Sequence, residues 1–178
     1  MNPTHRNLPL LLLHAREAAM GHFRPILKRF GLTDQQWRIL RVLSESSDEL
    51  EPGQIAEACK IQKPSLTGII ARMVELKWID RHWSKVDQRR QMISLAPKGR
   101  LLVHRVAPLV DRQYRLIEDS VGVDTLAAIY RSLDDAVALL NREIASVMSE
   151  QELPRARSAN VPASKQIRAE ARKGAAST

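Results

Sequence analysis

Several residue types are scarce in this chain, and each scarcity excludes a class of protein. A single cysteine, Cys59, leaves no internal disulfide framework and suits a reducing compartment. With only three tryptophans, two tyrosines and two phenylalanines, the core must be aliphatic, which favours helices packed on helices. The apolar run Leu8–Leu13 is too short for a membrane span or a signal peptide, and Arg16 and Glu17 follow it closely. We therefore expect a cytoplasmic protein without a membrane segment.

Motifs of catalysis and cofactor binding are also missing. The sequence has no glycine-rich phosphate loop, no paired carboxylates and no nucleophile beside a base, which predicts that the chain is not an enzyme and needs no cofactor. Its five histidines show no metal-ligand spacing. Cys59 follows Ile55 by four residues on a short predicted helix, which indicates buried packing rather than a redox sensor.

Positive charge is abundant but uneven. The formal net charge is +8, and residues 52–100 hold ten Lys and Arg against four Asp and Glu. Residues 151–178 hold six basic and two acidic residues without periodicity, so we expect a disordered tail that adds sequence-independent affinity for DNA. A basic centre beside slightly acidic segments predicts one surface that meets nucleic acid.

Helical periodicity and two extended runs predict a mainly α fold. Thr33 and Gln36 form a capping-box pattern, and Pro52 suits a first helical position. Helices are predicted over residues 8–30, 33–46, 52–60, 62–77, 97–120 and 124–148. The runs Ile79–Trp83 and Gln91–Leu95 flank a charged tip and predict a β-hairpin. Three helices followed by such a hairpin, the wing, form a winged helix-turn-helix.

The helix predicted over residues 62–77 has the pattern of a recognition helix. Its apolar stripe comprises Leu66, Ile69, Ile70, Met73 and Leu76, and must face the core. The opposite side is small or hydroxylated near its start, which suits a helix that enters the major groove. The residues predicted to contact DNA from this helix are Lys63, Ser65, Thr67, Gly68 and Arg72.

The hairpin tip concentrates three cations around one acid. We expect Asp87 to pair with Arg89 and to aim it at a narrow minor groove, whose negative potential attracts arginine. Lys85 and Arg90 flank it and suit phosphate contacts. A solvated charge cluster without a binding role is the alternative.

These segments together resemble the multiple antibiotic resistance regulator (MarR) family. The resemblance is carried by LTDQQWRILRVL, by KPSLTGIIARMVELKWIDR and by a wing pattern of Asp87, Arg89, Leu95 and Gly99. One departure is Ala96, where the family usually has threonine, and its loss removes a hydroxyl cap worth about 1 kcal/mol. The stretch AREAAMGHFRPILKRFGLTDQQWRILRVL resembles in particular the repressors of homoprotocatechuate (and 4-hydroxyphenylacetate) degradation operons.

The resemblance implies a homodimeric transcriptional regulator that binds a palindromic double-stranded DNA operator. Residues 1–32 and 97–150 would then build the dimerisation region, residues 33–96 the DNA-binding region, and residues 151–178 a basic tail. A heptad seam in the last helix gives dimerisation a physical reason. The seam consists of Leu126, Tyr130, Leu133, Val137, Leu140, Ile144 and Val147. A non-regulatory architectural DNA-binding protein, or a regulator of this family that senses another signal, is the alternative.

The resemblance also implies a cleft for a small phenolic acid. Arg16 shares a helix face with Met20 and Phe23 and can receive a carboxylate, while His22 can meet a hydroxyl from a different angle. Trp37 and Arg38 on the next helix complete the candidate set. Alternatively, Arg16 pairs with Glu17 or an interface acid, and Trp37 belongs to the core.

Overall fold

The computed structural model describes residues 5–151, with side chains up to residue 144. The elements run in the order α1 (Leu8–Arg29), α2 (Asp34–Glu45), α3 (Pro52–Cys59), α4 (Lys63–Glu75), β1 (Ile79–Trp83), β2 (Gln91–Leu95), α5 (Pro97–Val121) and α6 (Val123–Gln151). This mainly α architecture with one hairpin confirms the predicted winged helix-turn-helix. The described residues divide after Val123 into two compact units. Residues 1–4, the tail beyond Gln151 and the side chain of Val147 lie outside the described residues.

Local signals in the sequence set the helix ends. The Asn7 side chain caps α1 by accepting the N–H of Leu10 at 3.0 Å. The predicted capping box opens α2: Thr33 Oγ1 accepts the Gln36 N–H at 3.2 Å, and Gln36 Oε1 accepts the Thr33 N–H at 2.9 Å. Helix α4 is slightly shorter than predicted, because Gln62 is its N-cap.

The core of the first unit is aliphatic, as the scarcity of aromatics predicts. Its largest fully buried side chains are Leu27, Ile39, Leu40, Ile55, Met73, Ile79, Ile93 and Val106. The predicted stripe of α4 faces this core, with Leu66 and Ile70 buried and Ile69 half-buried. Packing on α4 therefore fixes which side of that helix is left in solvent.

The hairpin pairs in the predicted register and is tied to the loop before α3. Ile79 lies opposite Leu95, and Trp83 opposite Gln91. Leu50 adds one bridge to the outer edge of β2, through two hydrogen bonds with Ile93 of 2.8 and 3.0 Å. Strand β2 is thus hydrogen-bonded to β1 along one edge and to Leu50 along the other.

A close approach of two backbones joins the hairpin to α5. A Cβ atom placed on Gly99 would lie 1.9 Å from the carbonyl oxygen of Trp78. The same oxygen accepts the N–H of Ala96 at 3.1 Å. Ala96 is the N-cap of α5 and gives no side-chain hydrogen bond, as the departure from the family pattern predicts. Glycine is therefore required at position 99 by the space available.

Large apolar side chains remain exposed on α6 and on the first half of α1. Along the predicted seam of α6, Tyr130, Leu133, Val137, Leu140 and Ile144 are all exposed. Five of the first six residues of α1, Leu8 and Leu10–Leu13, are exposed leucines. Within residues 5–151, no helix combines the length and the hydropathy needed to cross a bilayer.

We expect Gly99→Ala to lower the free energy of unfolding by about 2 kcal/mol, because an overpacked site of this kind typically costs about 1–3 kcal/mol. Gly68→Ala is the matched control: its Cβ meets nothing within 4 Å, so it should raise stability by about 0.5–1 kcal/mol. Urea denaturation at one protein concentration measures both variants. Equal stability of Gly99→Ala and the wild type would contradict the packing described here.

Candidate DNA interface and ligand cavity

The exposed face of α4 contains the small residues that the sequence predicts for a recognition surface. Ser65, Thr67 and Gly68 are all exposed, and the space beyond Gly68 is open. The Thr67 hydroxyl donates back to the carbonyl oxygen of Lys63 at 3.3 Å, so it retains acceptor capacity toward an outside group. The surface can therefore approach another large molecule closely.

The two cations that bracket this face differ in their surroundings. Lys63 is exposed and forms no ion pair within residues 5–144. Arg72 donates from Nη1 to Glu75 Oε2 at 2.9 Å, a pair one turn apart on the same helix. The side chains of Arg72 and Glu75 are both more than 60% exposed, so their ion pair adds little to the stability of the fold and opens readily.

The hairpin tip is ordered by hydrogen bonds of its own backbone. Asp87 Oδ1 accepts the main-chain N–H of Arg89 at 3.0 Å, and the Ser84 hydroxyl accepts the N–H groups of Val86 and Asp87. The prediction of an ion pair between the side chains of Asp87 and Arg89 is wrong. The Asp87 carboxylate accepts the backbone hydrogen bond of the turn instead. In the described part of the chain the Arg89 guanidinium has no acidic partner and is exposed, as is Lys85.

Arg90, in contrast, turns back to the body of the protein. Its Nε lies 2.9 Å from Glu51 Oε1, and its Nη2 also contacts that oxygen. The hydrogen bond to Glu51 raises the pKa of the Arg90 guanidinium above its usual value. A second contact, His82 Nε2 to Glu49 Oε2 at 2.9 Å, runs between the same loop and β1. These contacts brace the hairpin against the start of α3.

A cavity of about 220 Å³ lies between α1, α2 and α5. The residues that line it are Arg16, Met20, Phe23, Asp34, Trp37, Arg38, Arg41, Val110 and Tyr114. The fold therefore brings together five of the six side chains predicted for a ligand cleft. His22 is exposed and does not line this cavity. Its neighbour Phe23 is buried and stacks at a tilt against Tyr114, with 4.8 Å between ring centroids.

A charge network borders the mouth of the cavity. Arg16 Nη1 lies 2.6 Å from Glu17 and its Nη2 lies 3.8 Å from Asp34, so the pairing with Glu17 that the sequence left open is present. Arg24 contacts the same two acids at 2.7 and 3.3 Å. The hydrogen bond from Arg24 lowers the pKa of Glu17 most, and the charge of Arg16 adds to it. Glu17 therefore stays ionised to lower pH than a free glutamate.

Arg38 and Arg41 add two further guanidinium groups to the cavity. Arg38 Nη1 donates to the carbonyl oxygen of Cys59 at 2.5 Å, whereas its buried Nε finds no acceptor among the described residues. Arg41 Nε donates to Glu45 Oε1 at 2.7 Å, and this hydrogen bond raises the pKa of the Arg41 guanidinium. Arg38 and Arg41 of α2 and Tyr114 of α5 thus add polar side chains to the cavity lining.

Sequence analysis missed four of the lining residues. Arg41 follows Trp37 by four positions, so helical spacing alone could have placed both on one face of α2. Val110 and Tyr114 come from α5, far along the chain, and Asp34 lies beside the capping residue. Only the tertiary packing of three helices brings these side chains together.

Cys59 is the residue outside the cavity whose reactivity the sequence raised as a question. Cys59 is buried, and burial raises the pKa of its thiol against the opposing charge of Arg38. This confirms the interpretation of Cys59 as a packing residue. Within the part of the chain that the structure describes, no group of three His, Cys, Asp or Glu side chains is placed to hold a metal ion.

Comparisons with known proteins agree with this geometry. A model of the MarR family matches residues 30–90. The homoprotocatechuate degradative operon repressor of Escherichia coli is 40% identical over 137 residues, which cover 77% of this chain and 92% of the repressor.

Two solved structures have the same fold. Transcriptional regulator PA4135 is 36% identical with a TM-score of 0.72, covering 75% of this chain and 98% of that one. NadR in complex with 4-hydroxyphenylacetate is 34% identical with a TM-score of 0.67, covering 76% and 96% of the two chains. By sequence identity over most of both chains and by fold, this protein belongs to the MarR family.

Proposed function

We propose that the chain is a homodimeric, sequence-specific DNA-binding repressor that an aromatic acid releases from a palindromic operator. The observation that carries DNA binding is the small, exposed face of α4 beside a hairpin tip whose Arg89 guanidinium has no acidic partner within residues 5–144. The identity with the repressor of E. coli supports the regulatory role.

The first half of α4 reads the major groove. Ser65, Thr67 and Gly68 are small enough for the helix to lie deep in a groove about 12 Å wide. Lys63 contacts a phosphate, which fixes the position of the helix on the duplex. Arg72 reaches a phosphate once its exposed pair with Glu75 opens.

The hairpin tip contacts the minor groove and its edges. Asp87 holds the turn, and the turn presents Arg89 to the negative potential of a narrow groove. Lys85 binds a neighbouring phosphate. Arg90 braces the hairpin through Glu51 and lends its charge to the same surface, so its role is partly structural.

The exposed apolar faces supply the dimer contacts. The seam of α6 and the leucine-rich start of α1 leave more large apolar side chains in solvent than an isolated chain tolerates well. We assign residues 1–32 and 97–150 to dimerisation and residues 33–96 to DNA binding. The two recognition helices then meet half-sites about 34–36 Å apart.

The cavity between α1, α2 and α5 binds the effector. Its volume of about 220 Å³ suits a single-ring acid, with Met20, Phe23 and Trp37 as apolar walls. The carboxylate meets Arg16, whose half-exposed guanidinium borders the cavity.

The chemistry of related proteins fits the same class of ligand. NadR has been solved with 4-hydroxyphenylacetate, and the repressor of E. coli is named for the homoprotocatechuate operon. In this chain the Tyr114 hydroxyl is the partner for the phenol group. The ligand changes DNA affinity only if it binds one spacing of the two recognition helices more tightly than the other.

Arg89→Ala should weaken operator binding about 10- to 100-fold, because a single specific arginine contact is worth about 1–3 kcal/mol. Fluorescence anisotropy on the palindrome of the adjacent intergenic DNA measures it. Arg112→Ala removes an exposed cation of α5 and should leave the affinity within about twofold. Wild-type affinity in Arg89→Ala would exclude the proposed role of the tip, and binding that ignored sequence would favour an architectural protein.

Addition of 4-hydroxyphenylacetate or homoprotocatechuate should lower operator affinity by about tenfold or more, within the usual range of coupling free energies. The neutral analogue 4-hydroxyphenylethanol should have little effect, because it lacks the carboxylate. In Arg16→Gln the response to the acids should be lost. Specific DNA binding that neither acid changes would agree with a regulatory role but would exclude these aromatic acids as effectors.

A further inference from the structure

A second groove lies on the first unit, at the end of α1 and the start of α5. Its volume is about 450 Å³, within the range of small-molecule sites. The lining residues are Arg29, Phe30, Trp78, Lys98, Leu101, Leu102 and Arg105. None of them lines the cavity between α1, α2 and α5, and none belongs to the proposed DNA contacts.

The charge of this groove is entirely positive. Arg29, Lys98 and Arg105 line it, and no acidic residue does. Within residues 5–144 none of the three forms an ion pair, whereas Arg16, Arg24, Arg41, Arg72 and Arg90 each contact a carboxylate. Lys98 also lies in the first turn of α5, where the helix dipole disfavours a cation. Three unpaired cations around one groove leave a charge that an anion would neutralise.

The floor between these cations is apolar. Trp78 is buried, Phe30 and Leu102 are half-buried, and Leu101 is 60% exposed. The Arg105 guanidinium lies over the Phe30 ring, 5.5 Å from its centroid, which holds that cation at the edge of the floor. Neither water nor an inorganic anion would cover the exposed apolar surface of Leu101 favourably.

We propose that this groove binds an amphipathic carboxylate, a small molecule with one anionic head and a flat apolar body. The head neutralises Lys98 and Arg105, and the body covers Leu101 and the Trp78 floor. Charge complementarity selects the anion, and the apolar floor selects against a bare phosphate.

Isothermal titration of the full chain with 2-naphthoate tests the proposal, with 2-naphthol as the neutral analogue of similar shape. Naphthoate should bind saturably and at least tenfold more tightly than naphthol. A purely apolar site would reverse that order, because naphthol is less hydrophilic. Naphthol binding as tightly as naphthoate, or no saturable binding of naphthoate, would overturn the proposal.

Variants locate the binding. Lys98→Gln with Arg105→Gln should weaken naphthoate binding at least tenfold, and Leu101→Asn should weaken it without a change of charge. Arg112→Gln with Arg115→Gln removes two exposed α5 cations outside the groove and should change affinity less than twofold. A loss seen in Arg16→Gln instead would place naphthoate in the other cavity and refute the groove. Circular dichroism checks that each variant is folded.

Discussion

The contact between the Trp78 carbonyl and Gly99 is the constraint on which the packing of α4, the hairpin and α5 depends. The Trp78 N–H donates to Met73 at the end of α4, and its carbonyl accepts from Ala96 at the start of α5. One residue thus joins the recognition helix, the hairpin and the long helix within a few bonds. A Cβ atom at position 99 would overlap the Trp78 carbonyl oxygen, so the two backbones are in direct contact. No side chain lies between them that could adjust by changing its rotamer.

The hairpin is held at a second place, by the loop before α3. Leu50 pairs with Ile93 in the sheet, and the Arg90–Glu51 and His82–Glu49 contacts lie beside that pairing. Because the hairpin is tied to α5 and to the loop before α3, we expect it to move together with α4. We therefore expect an effector between α1, α2 and α5 to change the orientation of α4 and the hairpin together, since the residues that hold the tip do not line the cavity.

Local patterns predicted the elements well because the signals are contained in a few neighbouring residues. The capping box at Thr33, the strand bounds and the buried side of α4 follow from short-range spacing and from burial of one apolar stripe. Position 99 illustrates the limit: the family pattern marked the glycine, but only the structure shows that the Trp78 carbonyl occupies the space.

Partners of charged side chains could not be predicted in the same way. Arg90 meets Glu51, 39 residues away, because tertiary packing brings the two together. Asp87 accepts a backbone N–H of its own turn instead of a guanidinium. The cavity lining likewise combines residues that local spacing predicts with residues that only tertiary packing brings in. Helical spacing placed Arg16, Met20 and Phe23 on one face of α1, but Tyr114 enters only through the packing of α5.

The distance between the two DNA-binding regions in solution shows whether the effector changes their orientation. A spin label on Ala58→Cys, an exposed position of α3, in a Cys59→Ala background allows pulsed electron double resonance across the dimer. We predict one distance distribution with operator and a displaced one with 4-hydroxyphenylacetate. Release of the operator by the acid with an unchanged distance distribution, or no intermolecular distance at all, would contradict it.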